Sequence, residues 1–194
     1  MDTSETKSLK SVSPENILVV VDLQRDFFDP SGSLYVGGSE VLPEKIAAIA
    51  YDYDAVIFTL DWHPANHCSF KEQGGMWPSH CVQYTQGAGL PDCMSSVMKA
   101  VPFGFMEKGC DPSKEEYGAF ENMEGFEKTE QWVKSCRHID VCGIAGDYCV
   151  KESLNSLLNY VDASQITVLT DCVRSIDDGS TLEAFITEKG FIRR

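Results

Sequence analysis

The strongest apolar runs in the chain are short and barely interrupted by polar residues. Residues 17–22 read ILVVVD and residues 55–61 read AVIFTLD. A strand with one wet face alternates apolar and polar positions, so a run without alternation belongs to a strand covered on both faces, as in a parallel sheet. Residues 139–146 (IDVCGIAG) and 166–171 (ITVLTD) are further strands, and residues 105–108 (FMEK) are a shorter candidate. Between them the period changes. Residues 39–53 put Ile46, Ile49 and Ala50 on one helical face, with Ser39 as the expected N-cap. Val150, Leu154, Leu157, Leu158 and Val161 fall at i, i+4, i+7, i+8 and i+11, the stripe of an amphipathic helix. Ser180 and Glu183 have the spacing of a capping box opening a last helix, which Lys189 and Gly190 close. The stretch from His63 to Pro102 shows neither period and reads as irregular.

This alternation predicts an α/β domain, three layers (α/β/α) around a mostly parallel sheet, over residues 17–194 behind a polar arm at residues 1–16. A chain of 194 residues suits one such domain. The arm lacks the apolar core of a signal peptide, and the run Ile17 to Val21 is too short to cross a bilayer. Lys plus Arg number 16 against 30 Asp plus Glu, a net charge of −14. That charge repels phosphate backbones and anionic lipid, which disfavours nucleic-acid and membrane partners. None of the eight cysteines forms a C-x-x-C pair, so no zinc ribbon or thioredoxin motif is present. Free thiols in a soluble, cytoplasmic protein are the expectation.

Ligands of a parallel sheet bind beyond the carboxyl ends of its strands, and several polar residues stand there. Asp22 ends the first strand, Asp61 the second and Lys108 the short third. Asp61 and His63, at i and i+2, can present a carboxylate and an imidazole to a common point. With His67 and His80, an Asp and two or three histidines suit Zn²⁺ or Fe²⁺; the loose spacing equally fits scattered surface histidines. His138, beside Arg137, reads as a surface residue. Cys149 follows a strand-to-loop turn and opens a helix, where orphan N–H groups lower a thiol pKa and can hold an oxyanion. The alternative is a small buried apolar residue. A lysine near that thiol would favour the thiolate, whereas a solitary Lys108 is ordinarily solvated and a solitary Asp22 caps a turn. For Phe27, Trp77 and Tyr117, aromatics of the strand-end loops, packing is the simpler account.

Together the segments VVVDLQRDFF with GSL, TLDWHPANHCSF, WPSHCVQYTQGAGL, EKGCDPSKEEYGAF, and CGIAGDYCVKESLNSLL followed by VLTDC resemble the isochorismatase-like cysteine hydrolases, specifically their nicotinamidase branch. The resemblance runs from about residue 17 to about residue 185. Each segment alone is weak, but the five in this order are highly specific. DWHPxNHxSF with WPxHC separates metal-bearing nicotinamidases from metal-free relatives. The resemblance implies an isochorismatase-like, Rossmann-like fold and a triad of Asp22, Lys108 and Cys149. It implies metal ligands at Asp61, His63 and His80, with His67 a ligand only in some members. It implies an oxyanion hole from the Ala145 and Cys149 N–H groups, a cis peptide at Ile144–Ala145, and a pocket of Phe27, Trp77 and Tyr117. The implied reaction is hydrolysis of nicotinamide to nicotinate and ammonia, in NAD salvage, through a Cys149 thioester. Pyrazinamide is the implied surrogate substrate, and the implied cofactor is one divalent ion, Zn²⁺ ahead of iron or manganese. Relatives often assemble, so a homo-oligomer is compatible with the sequence. The alternative is a metal-free isochorismatase or N-carbamoyl amidohydrolase on the same fold, against which Asp61, His63 and His80 argue. The chain departs from the family pattern at Gly146, where Thr or Ser is usual, and at Gly118, where Ser is common.

Overall fold

In a computed structural model, which describes residues 13–194, the apolar runs become adjacent strands of one sheet. Residues 1–12, most of the expected polar arm, lie outside the described residues. The strands are β1 (Asn16–Val21), β2 (Ala55–Asp61), β3 (Phe103–Lys108), β4 (His138–Ile144), β5 (Ile166–Arg174) and β6 (Ile192–Arg193). All pairings are parallel, in the order β3-β2-β1-β4-β5-β6. β1 is central, and its residues from Ile17 to Val21 are wholly buried.

The pleat divides the core in two. Ile17, Val19 and Val21 face one layer, where α4 (Glu127–Ser135), α5 (Lys151–Leu157) and α6 (Ser180–Lys189) supply Val133, Leu154, Leu157 and Ile186. Leu18 and Val20 face the other, where α1 (Arg25–Phe28), α2 (Leu42–Ala50) and α3 (Met94–Ala100) supply Phe27, Ile46, Met94 and Val97. Burial on both sides is what removed polar alternation from the strands.

The chain builds outward from β1 through β2 to β3, then returns to β4 on the other side of β1. Connections that diverge in this way leave a crevice at the carboxyl ends of the two central strands. At that place Gly143 has φ +124°, and a Cβ there would lie 2.0 Å from the Val21 carbonyl oxygen. Only glycine lets β4 lie this close to β1.

Several local expectations are corrected. The helix expected over 39–53 is a 3₁₀ turn, Ser39–Val41, followed by α2 with Pro43 in its first turn. Ser39 is no cap: its hydroxyl donates to the Phe27 and Val36 carbonyls, and Gly38 precedes the turn. The Ser180–Glu183 capping box does not form. Gly179 is the N-cap of α6, and the Asp178 and Asp177 carboxylates accept the N–H groups of Ser180 and Thr181. Gly190 does end that helix, in the left-handed conformation. The irregular stretch contains α3, and α1, α4 and β6 stand where no element was expected. His138 opens β4 and is bonded to Asp140 and Thr167 rather than freely solvated. Among the described residues no helix is long and apolar enough to cross a membrane. The eight cysteines are free.

Candidate active site

Asp22 lies one residue past β1 with φ +45°. Its Oδ1 accepts the Thr59 hydroxyl at 2.6 Å, which fixes the carboxylate. Pairing of β2 with β3 sets Asp61 directly opposite Lys108, and the ammonium contacts Asp61 Oδ1. Lys108 Nζ also lies 2.9 Å from Asp22 Oδ2 and 3.4 Å from Cys149 Sγ. Cys149 comes from the π-helical turn Gly146–Val150 that follows β4. Four strand ends thus deliver two carboxylates, an ammonium and a thiol to one buried spot.

The charges do not balance within that group. Two carboxylates face one ammonium, and burial makes a surplus charge costly. Burial raises the Asp22 pKa, Lys108 works against that rise, and Asp61 adds to it. Burial also opposes ionisation of Asp61, but Lys108 and the neighbouring His63 and His80 imidazoles hold its carboxyl well below the usual range. Burial alone would lower Lys108, yet the Asp22 and Asp61 carboxylates push it well above the ordinary lysine value. For Cys149 burial pushes the thiol pKa well up, Lys108 draws it down, and both carboxylates push it further up. The expected lowering by the helix start is therefore overturned. Burial opposes the charged form of the sulfur, and Lys108 is the group that favours it. Asp22 Oδ2 is the sole buried side-chain oxygen or nitrogen without a hydrogen-bond partner among the described residues. Lys108 touches it off the hydrogen-bonding direction, which leaves a lone pair free for a proton.

A second cluster adjoins the first. One ligand atom each from Asp61, His63 and His80 lie within 4.8 Å of one another, all buried. His63 Nδ1 donates to the Gly109 carbonyl at 3.0 Å and His80 Nδ1 to the Pro78 carbonyl at 2.8 Å. Each Nε2 therefore carries a lone pair, and these sit 3.6 and 3.8 Å from Asp61 Oδ2. Two oriented imidazole lone pairs, a carboxylate and a local surplus of negative charge fit a divalent cation of the zinc type. His67 is not in the cluster. Its Nε2 donates to the Lys114 carbonyl at 2.9 Å and its Nδ1 accepts the Ser69 hydroxyl at 2.7 Å. Both nitrogens are used, and the ring stacks on His63 at 4.1 Å. Burial and the neighbouring His63 lower its pKa.

Above the two clusters lies a pocket walled by Phe27, Trp77 and Tyr117, with Asp61, His80, Ala145 and Cys149 on its lining. Trp77 Nε1 donates to the Tyr117 hydroxyl at 3.0 Å. Tyr148 packs its ring 5.1 Å from Trp77 and 5.4 Å from Tyr117. Tyr148, Leu34, Val36, Glu115 and Ile176 complete the lining and were not singled out from the sequence. The expected cis peptide joins Ile144 to Ala145. The Tyr148 and Val150 N–H groups both go to the Ala145 carbonyl. Gly146 packs against Ser175 and Gly118 against Glu121 and Glu152; neither lines the pocket.

A buried carboxylate, ammonium and thiol at the point where a parallel sheet reverses its strand order, beside an Asp–His–His cluster, are the make-up of a hydrolase site on an α/β fold. No protein-family model matches the chain. It is 31% identical to the nicotinamidase of Saccharomyces cerevisiae over 83% of its length and 88% of the relative's. Among solved structures, PnC1 of L. infantum in complex with nicotinate superposes with a TM-score of 0.81 at 31% identity, covering 94% of this chain and 93% of that one. The pyrazinamidase of Pyrococcus horikoshii in complex with zinc gives 0.72 at 30% identity, covering 93% and 99%. The chain belongs to the nicotinamidase family.

Proposed function

We propose that the chain hydrolyses nicotinamide to nicotinate and ammonia, with Cys149 as the nucleophile. The observation that carries this is the convergence of Lys108 on Asp22 and Cys149, at 2.9 and 3.4 Å, beneath an aromatic pocket in a chain of this family. The flat pyridine ring would sit among Phe27, Trp77 and Tyr117, with its carboxamide toward Cys149.

Asp22 takes the Cys149 proton through its unpartnered Oδ2. Burial raises both pKa values, so the carboxylate is a stronger base than usual and the thiol needs one. Lys108 stays protonated and holds the negative charge as it passes from Asp22 to sulfur. The thiolate attacks the carboxamide carbon, and the Ala145 and Cys149 N–H groups hold the oxyanion. Asp22 returns its proton to the departing nitrogen, ammonia leaves, and a Cys149 thioester remains. Water then gives a proton to Asp22 and attacks the thioester. The sulfur leaves as thiolate and recovers its proton from Asp22, releasing nicotinate.

Asp61, His63 and His80 would hold the divalent ion, and the zinc-bound pyrazinamidase structure supports zinc. Bound there, the ion supplies a coordination point for the ring nitrogen and for water. Pyrazinamide keeps the carboxamide and a ring nitrogen and would be accepted as a surrogate. Nicotinate formed this way would feed NAD salvage, and the free thiols support a reducing compartment such as the cytoplasm.

The test is intact-mass analysis during turnover of nicotinamide. A nicotinoyl adduct on the peptide holding Cys149, absent from Cys149→Ser, is expected. Full turnover by Cys149→Ser would overturn the assignment.

A further inference from the structure

The segment that leaves β1 does more than supply Asp22. Gln24 is fully buried, and its side chain closes on the backbone of Asp61 from both sides. Its Nε2 donates to the Asp61 carbonyl at 2.7 Å and its Oε1 accepts the Asp61 N–H at 2.8 Å. A third bond, Nε2 to the Ala88 carbonyl at 3.0 Å, anchors the amide from the far side. Two residues on, Asp26 Oδ2 accepts the Cys81 N–H at 2.7 Å, immediately after His80. Cys81 also accepts the His63 N–H through its own carbonyl at 3.1 Å. Asp26 Oδ1 accepts the Ser33 N–H at 3.2 Å, which ties in the loop carrying Leu34 and Val36 of the pocket wall. Space around Asp26 is reserved, since a Cβ on Gly87 would fall 2.1 Å from Oδ2.

We propose that Gln24 and Asp26 are positioning residues that hold Asp61, His63 and His80 in ligating register and couple that cluster to the triad. The inference rests on the divalent-ion reading above. Neither side chain belongs to either cluster. Each acts through one backbone segment: Gln24 on the end of β2, Asp26 on the loop that carries His80. The two segments are separate in sequence, and among the described residues the bonds that link them run through Cys81 and Gln83 alone. Without the clasp the three ligand atoms would still be present but would sample a wider range of separations. Outer partners of metal ligands typically contribute 10- to 100-fold in affinity.

The experiment measures Zn²⁺ affinity of the metal-stripped protein by competition with a chromophoric chelator, and the visible spectrum of the Co²⁺-loaded form. Wild type, Gln24→Met, Asp26→Asn and His80→Ala are compared. Gln24→Met keeps the volume and removes all three bonds. Asp26→Asn keeps the shape but can no longer accept at both oxygens. The expected result is a loss of about 10- to 100-fold in Zn²⁺ affinity for each positioning variant, with a changed Co²⁺ spectrum and an unchanged far-ultraviolet dichroism spectrum. His80→Ala is expected to lose more. Affinities within twofold of wild type and an unaltered Co²⁺ spectrum in both variants, alongside a large loss in His80→Ala, would overturn the proposal and leave the metal reading intact. A wild type that binds no Zn²⁺ would overturn both. Should one variant fail to fold, the other carries the test alone, because the two grip different segments.

Discussion

Lys108 is the residue on which the site depends. Its ammonium meets Asp22, Asp61 and Cys149 at once, and all four groups are buried. Removing one partner of a buried ionic group costs roughly 3–5 kcal/mol, because the charge left behind stays desolvated. Lys108→Met is therefore expected to lower the stability of the metal-stripped protein by about that amount at neutral pH. The sign with pH follows. Without the ammonium, burial and mutual repulsion raise both carboxyl pKa values above their unfolded values. Groups raised in this way favour the folded state when protonated, so the deficit against wild type should shrink as pH falls from about 7 toward 5. Urea unfolding of both proteins across that interval checks it, and a deficit that grows toward acid would contradict the charge arrangement. At this scale the sequence was partly legible. Asp61 and His63 stand two apart at a strand end, and Lys108 closes its strand. Thr59, which fixes Asp22, and Gln24, which grips Asp61, were invisible, because their roles depend on a register between strands that no local pattern encodes.

Elements show the same division. β1 and β2 were readable because residues buried on both faces must be apolar throughout. α3 buries only Met94 and Val97, and α4 only Thr129, Trp132 and Val133. Two or three positions are too few to mark a helical period, so those helices were missed. The start of α6 misled for a different reason. Ser180-x-x-Glu183 has the right spacing, yet the chain enters the helix through Gly179, and two aspartates before it take the free N–H groups. Asp177→Ala is accordingly expected to lower Tm by roughly 2–4 °C, while Ser180→Ala should leave it within about 1 °C. Thermal melts of the two variants decide it, and the opposite ranking would restore the capping box.

For the molecule as a whole, the strand order places the site. Polar residues sit where β1, β2, β3 and β4 stop, and the reversal between β1 and β4 opens the crevice above them. The layer arrangement followed from patterning alone, but the gathering of Asp61, His63 and His80 was legible only through the order of motifs, since His80 arrives on a loop without periodicity. A divalent ion bound there stabilises the folded chain by mass action. At free Zn²⁺ a hundredfold above Kd, about 2.7 kcal/mol or roughly 5–10 °C in Tm should separate the loaded from the chelated protein. Chelation that leaves Tm unchanged would argue against the cluster as a metal site.

The most direct measurement is ammonia release from nicotinamide by metal-replete wild type and Cys149→Ala, side by side. Release by wild type with none above background from the variant is the expected result. No release by wild type would contradict the amidase reading, and release surviving in Cys149→Ala would mean that something other than the thiol attacks the carboxamide.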